Sequence, residues 1–138
     1  MNTRSSRPGF VFLLSILAVG VIGMATTVSL LLLGSAAERS AATIATSAQA
    51  LENANTCVER AIRNLRLEPT YAGGTTQTLT YGTCTLSAIG GSGNLDRTIC
   101  AQGDNRNVTR RLEVVIDTLY PRTVISRWRE VSSFTLCP

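Results

Sequence analysis

The stretch "RPGFVFLLSILAVGVIGMATTVSLLLLGS", Arg7 to Ser35, decides how this chain is read. From Phe10 to Leu33 it carries no charged residue. Coiled as an α-helix at about 1.5 Å per residue, the run is about 36 Å long, enough to cross a hydrocarbon core of roughly 30 Å. Arg4 and Arg7 precede it, and the flank after it, Glu38 and Arg39, is near neutral. The arginine-rich side is retained in the cytoplasm, so the N-terminus is expected there and the remainder of the chain outside. Three readings compete: a secretory signal that is removed, a plain signal anchor, and a helix first stored in a membrane and later packed into a fibre. Ser35 and Ala37 in "GSAAE" are small enough for a cleavage site, yet the run far exceeds the signal-peptide core of about 7–15 residues. Pro8-Gly9 forms a sharp boundary between a short basic leader and the helix. Gly20, Gly23 and Gly34 make the segment rich in small residues, which let helices approach closely in an apolar medium. An ordinary membrane helix tolerates them too.

The totals narrow the chemistry. A chain of 138 residues suggests one compact domain with an appendage. Its net charge of +4 is carried entirely by arginine, with no lysine and no histidine. The arginines are interleaved with Asp and Glu, so no nucleic-acid stripe is read and no nucleic-acid partner is expected. Without histidine the usual general base near neutral pH and the commonest metal ligand are missing. There is no Gly-x-Ser-x-Gly, and "GGSGN" lacks the lysine of a phosphate loop. Asp96, Asp104, Glu113 and Asp117 read as turn and strand-surface residues. No catalytic residue, metal site or cofactor is therefore expected, and the chain is read as a non-enzyme. Asn107-Val108-Thr109 is taken as a chance glycosylation match in a turn, and Trp128 as a half-buried sheet aromatic.

Beyond Gly34 the helix pattern continues. "SAAERSAATIATSAQALENANTCVERAIRNLRLEP" has no Gly or Pro until Pro69 and is rich in helix formers. Ala37, Ala41, Ile44, Ala48, Leu51, Val58, Ile62 and Leu65 recur in steps of three and four, the mark of one buried stripe. Glu52, Glu59, Arg60, Arg63 and Arg66 form the solvated side. One helix from Phe10 to Leu67 follows, with Gly34 the place for a bend and Pro69 its end. Strands come after a Gly/Thr turn at Tyr71 to Thr76: "QTLTYGTCTLSAI", "RTICAQ", "TRRLEVVIDTL" and "TVISRWREVSSFTL". Turns are placed at Gly90 to Asn94 and at Gly103 to Asn105. In the third strand Leu112, Val114 and Ile116 point one way, Glu113 and Asp117 the other. The fold class is α+β: a long N-terminal helix, its first half transmembrane and its second half amphipathic, packed on a small antiparallel sheet of about four strands. Residues 1–9 are a basic leader, 10–34 the transmembrane or filament-core helix, 35–68 its amphipathic continuation and 69–138 the sheet domain.

The four cysteines, Cys57, Cys84, Cys100 and Cys137, form no Cys-x-x-Cys pair, so disulfides in an oxidising compartment are expected. Cys84 shares its strand face with Leu86 and Ala88, and Cys57 lies beside the helix stripe. Cys100 falls on the face opposite Ile99 and Ala101. These faces favour Cys57–Cys84 with Cys100–Cys137, while a Cys84–Cys100 bond across a hairpin stays open as the rival.

The order of leader, Gly9-Phe10, apolar helix, amphipathic helix, antiparallel sheet and cysteine-tied C-terminus resembles the type IV pilins. "GFVFLLSILAVGVIGMATTVSLLLLG" followed by "CVERAIRNLR" is most similar to the small minor pilins of the PilX kind and their pseudopilin relatives. The resemblance implies that a prepilin peptidase of the inner membrane cuts after Gly9 and methylates Phe10. It implies that the helix, with Phe10, Leu14, Gly20, Gly23 and Leu33, then packs against other pilin subunits in a filament. The fifth mature residue, usually glutamate in the family, is here Leu14, which implies a minor or accessory subunit rather than the bulk fibre protein. The implied location is the inner membrane with the C-terminal domain outside, and then a surface filament.

Overall fold

A computed structural model describes residues 8–137; the basic part of the leader, with Arg4 and Arg7, lies outside the described residues. One helix, α1 (Pro8–Leu67), is followed by six strands: β1 (Gly73–Leu79), β2 (Gly82–Ala88), β3 (Gly90–Ser92), β4 (Leu95–Asn105), β5 (Val108–Thr118) and β6 (Val124–Val131). The chain divides between Ala42 and Thr43 into two compact units.

The first unit is the helix up to Ala42. Pro8 stands at its first position, where a missing N–H breaks no helical bond. Gly34 lies within the helix. The hydroxyls of this segment turn back onto the helix: Ser15 donates to the Val11 carbonyl, Thr27 to Gly23 and Met24, and Ser29 to Ala25. The hydroxyls of the apolar run are thereby satisfied within the segment, as an apolar medium requires.

The second unit is an antiparallel sheet, in the order β1-β2-β4-β5-β6 with β3 beside β4, packed on the helix from Thr43 onward. Ala54, Cys57, Val58, Ala61 and Leu65 of α1 meet Cys84, Leu86, Ile99, Ala101, Leu112, Val114 and Ile116 in one core. Helix and sheet approach closely at Gly103. A Cβ there would lie 2.0 Å from the Ala50 carbonyl oxygen and 2.4 Å from the Ala54 nitrogen. Small residues on both sides make this contact possible.

Several expectations change. Six strands form rather than about four. "QTLTYGTCTLSAI" is a hairpin, because Thr80-Tyr81 turns the chain and Gly82 takes a φ of 127°. Residues 73–76, expected in a turn, pair with β2, and Gly90–Ser92 pairs with β4. Gly103 to Asn105 remains in β4; the turn is at Arg106-Asn107, where Arg106 has a φ of 52°. The helix stripe is also shifted: Ala37, Ala41, Ile44 and Ala48 are exposed, while Ala50, Ala54, Cys57, Val58, Ala61 and Leu65 are buried, with Leu51 and Ile62 half-buried beside them. Alanines occupy several sides of this helix, so their spacing leaves the rotation of the buried face open. The close approach at Gly103 selects it.

Candidate functional site

Among the described residues nothing covers the apolar run of α1. From Phe10 to Leu33 its large apolar side chains are between 54% and 74% exposed, the extremes being Val28 and Met24. Phe10, Leu14 and Leu33 are among them, and a Cβ on Gly20 or Gly23 would meet nothing within 4 Å beyond the helix's own adjacent backbone. Gly9 and Phe10 are both helical. By length and composition α1 is able to cross a membrane. Water solvates such a surface poorly, so its stable surroundings are lipid or other helices.

The second unit is held by two disulfides. Cys57–Cys84 joins α1 to β2 and Cys100–Cys137 joins β4 to the C-terminal tail, with Cα separations of 6.0 and 6.2 Å. This is the pairing that the strand faces favour. Ile99 and Ala101 face the helix, and Cys100 lies opposite Glu113 on the other face.

Glu113 departs from its sequence reading as a strand-surface residue. Its side chain is fully buried on the outer face of β5, beneath the tail. Its carboxylate accepts hydrogen bonds from the backbone N–H of Thr135 and of Leu136 (3.0 Å), from the Thr135 hydroxyl, and from Arg129 on β6 at 2.8 Å. Burial pushes its pKa up; the N–H of Thr135, then Arg129, Leu136 and the Thr135 hydroxyl, outweigh burial and lower it from 4.5 to about 2. One carboxylate thus ties three segments: β5, β6 and the tail. Its alternation with Val114 marked a non-core face, but the cover comes from residues 132–137, which no local pattern announces.

Two further buried polar groups hold the connections. Asn53 on α1 donates from Nδ2 to the carbonyls of Tyr81 and Asp104, both at 3.0 Å, and so fixes two hairpin ends to the helix. Arg97 on β4 reaches the carbonyls of Pro69 and Tyr71, both at 3.4 Å, just past the end of α1. The negative end of the helix dipole favours a cation there.

The other singled-out residues do not converge. Asp96 is the second residue of β4, with a φ of 51°, Asp117 is exposed on β5, and Asp104 accepts from Thr109 and Gln102. Asn107 is exposed in the β4–β5 turn. Among the described residues no group of three His, Cys, Asp or Glu side chains is placed to hold a metal.

Along the β5–β6 side of α1, two cavities open. One, of about 390 Å³, is lined by Glu59, Ile62, Arg63, Arg66, Leu67 and Tyr120, with the Arg66 guanidinium 5.8 Å from the Tyr120 ring centre. The other, of about 440 Å³, is lined by Thr43, Ile44, Ser47, Ala48, Leu51 and Arg110. Trp128 and Ile125 of β6 are 41% and 40% exposed, whereas their β5 partners Val114 and Ile116 are fully buried. The helix covers β5 and leaves β6 open.

Compared with family profiles, curated proteins and solved structures, the chain matches none.

Proposed function

We propose that this chain is a minor, accessory subunit of a type IV pilus-like or pseudopilus filament. Its N-terminal helix stores it in the inner membrane with the sheet domain outside, and assembly transfers that helix from lipid to a packing of other subunits' helices. The observation that carries this reading is the run Phe10–Leu33, apolar all round and uncovered, in the same helix that enters the core of a disulfide-tied domain. Lipid and neighbouring helices bury the same apolar surface, so the transfer exchanges one favourable environment for another. A prepilin peptidase cutting between Gly9 and Phe10 releases the helix from its basic leader. The accessory rather than bulk role rests on Leu14, which leaves no carboxylate in the first turns of the mature helix. In this role the chain carries no catalytic site, takes no cofactor and contacts no nucleic acid.

The mature N-terminus tests the proposal. Intact mass and N-terminal sequencing of membrane-derived protein should give a chain beginning at Phe10, and Gly9→Val should leave an uncleaved protein absent from sheared surface fibres. A chain beginning at Glu38 identifies a removed signal and ends the filament reading. A chain beginning at Met1 or Asn2, absent from fibres, makes it a signal-anchored module that does not assemble.

A further inference from the structure

The cavity of about 390 Å³ at the C-terminal end of α1 lies wholly within the second unit, and the proposed assembly makes no use of it. Both of its walls are fixed from behind. On the helix side Val58, Ala61 and Leu65 are held in the core, so the turns that carry Glu59, Arg63 and Arg66 have a rigid support. The facing wall is Tyr120, which directly follows the fully buried Leu119. The Asn94 side chain clamps the Tyr120 backbone twice: its Nδ2 donates to the Tyr120 carbonyl at 3.0 Å, and its Oδ1 accepts from the Tyr120 N–H at 2.7 Å. The Leu119 N–H donates to the Asn94 carbonyl at 3.0 Å beside them. A connection between two strands is thereby held as a wall, and a ligand meets a preformed surface.

The charges of this cavity are not paired with each other. Glu59 and Arg63 stand four residues apart, yet among the described residues none of Glu59, Arg63 and Arg66 is in an ion pair. Arg66 lies over the Tyr120 ring, with its guanidinium carbon 5.8 Å from the ring centre. A guanidinium engaged with an aromatic ring keeps N–H donors for a carboxylate. Arg66 also answers the negative end of the helix, but Arg63, one turn back, has no such role. Two arginines against one glutamate leave the cavity positive, and Ile62, Leu67 and the Tyr120 ring give it an apolar lining.

We propose that this cavity binds a sugar acid, one hexuronate unit of an acidic polysaccharide. Its carboxylate takes Arg63 and Arg66, which stand about 4.5 Å apart along the axis, close enough to share one anion. The centre of that pair is about 8 Å further along α1 than Glu59. A pyranose ring fills the interval, with its C–H face against Tyr120 and the hydroxyls opposite its carboxylate donating to Glu59. Glu59 selects the ligand. A plain anion meets it as a repulsion, whereas a molecule with an acid at one end and hydroxyls at the other meets it as an acceptor. An acidic peptide brings further carboxylates to Glu59 and is disfavoured for the same reason.

Calorimetric titration of the full chain in a neutral detergent tests this, with tri-galacturonate as the probe and galactotriose and acetate as controls. Saturable binding of tri-galacturonate is expected, at least about tenfold tighter than that of either control. Arg63→Gln and Arg66→Gln should each weaken it about tenfold, the scale of one charge-assisted hydrogen bond. Tyr120→Phe should keep the affinity and Tyr120→Ala should lose it. The variant Glu59→Gln separates the sugar acid from an anion of any kind. Attraction to net positive charge makes binding tighter when this carboxylate is neutralised; a Glu59 that accepts hydroxyls makes it several-fold weaker. All four side chains are exposed, so an unchanged Tm and intact disulfides distinguish loss of binding from loss of fold. Absence of saturable binding, binding undiminished in Arg63→Gln with Arg66→Gln, acetate as strong as tri-galacturonate, or tighter binding by Glu59→Gln each overturns the site. The titration reads the second unit alone, so its failure leaves the filament reading standing, and a chain beginning at Met1 leaves the sugar-acid site standing.

Discussion

Glu113 shows at the residue scale how one group anchors the surface of the domain. Its folded pKa of about 2 lies below its ordinary 4.5, so the carboxylate contributes stability that is fully present above about pH 4.5 and is lost as pH falls toward 2. At about 1.4 kcal/mol per pKa unit the contribution is on the order of 3 kcal/mol. Denaturant midpoints should therefore drop across that window, and Glu113→Gln should lower stability at neutral pH by about 3 kcal/mol and flatten the acid dependence. An unchanged acid limb in the Gln variant would assign the effect to another carboxylate. Gly103 carries the opposite lesson, an absence that matters. In Gly103→Ala the new methyl meets helix backbone at Ala50 and Ala54, which cannot rotate aside. The helix must lift from β4, and a loss of about 3 kcal/mol or more in urea unfolding is the expected result.

At the scale of elements, the disulfides join parts that the chain separates. Cys57–Cys84 spans 27 residues and Cys100–Cys137 spans 37. In the chain-entropy account loops of this length contribute about 3.5–4 kcal/mol each. Alkylation without reduction should label none of the four cysteines, and labelling of all four in protein taken from its native compartment contradicts the extracytoplasmic placement. The two bonds should differ in what their loss releases. Cys57→Ala with Cys84→Ala loosens α1 from β2, within the core. Cys100→Ala with Cys137→Ala leaves the tail held by Glu113, by Arg111 on the Ser132 carbonyl and by Arg129 on the Thr135 hydroxyl, so the amides of Thr135 and Leu136, which Glu113 accepts, should then lose protection relative to their intrinsic exchange as the carboxylate is protonated in acid.

At the scale of the whole molecule, an uncovered apolar helix and a cross-linked domain serve different surroundings. The helix needs lipid or packed neighbours, while the domain buries its own core in water. Val19→Asp places an unpaired carboxylate inside the apolar run, where ionised groups are costly by at least about 2.5 kcal/mol in a bilayer centre. Membrane recovery of the full chain should fall severalfold and its presence in fibres should vanish, while the domain keeps its disulfides. Wild-type levels of that variant in fibres would mean that residue 19 meets water there, and the helix-packing account would fail.

What the sequence determined by itself was local. Twenty-four uncharged residues at the start, an even set of scattered cysteines, and the alternation of Leu112, Val114 and Ile116 were sufficient for the helix, the disulfides and the sheet. The apolar half of the candidate site was legible for the same reason. The tertiary structure alone decided which side of α1 is buried. Alanines at many positions make several faces equally acceptable to a helix, and only the close fit of Ala50 and Ala54 onto Gly103 separates them. It alone placed a carboxylate under the tail, since Glu113 has the alternation of a solvated residue until residues 132–137 cross over it. It alone left β6 bare, because the width of a sheet against the width of one helix is a property of the assembled layers and of no segment within them.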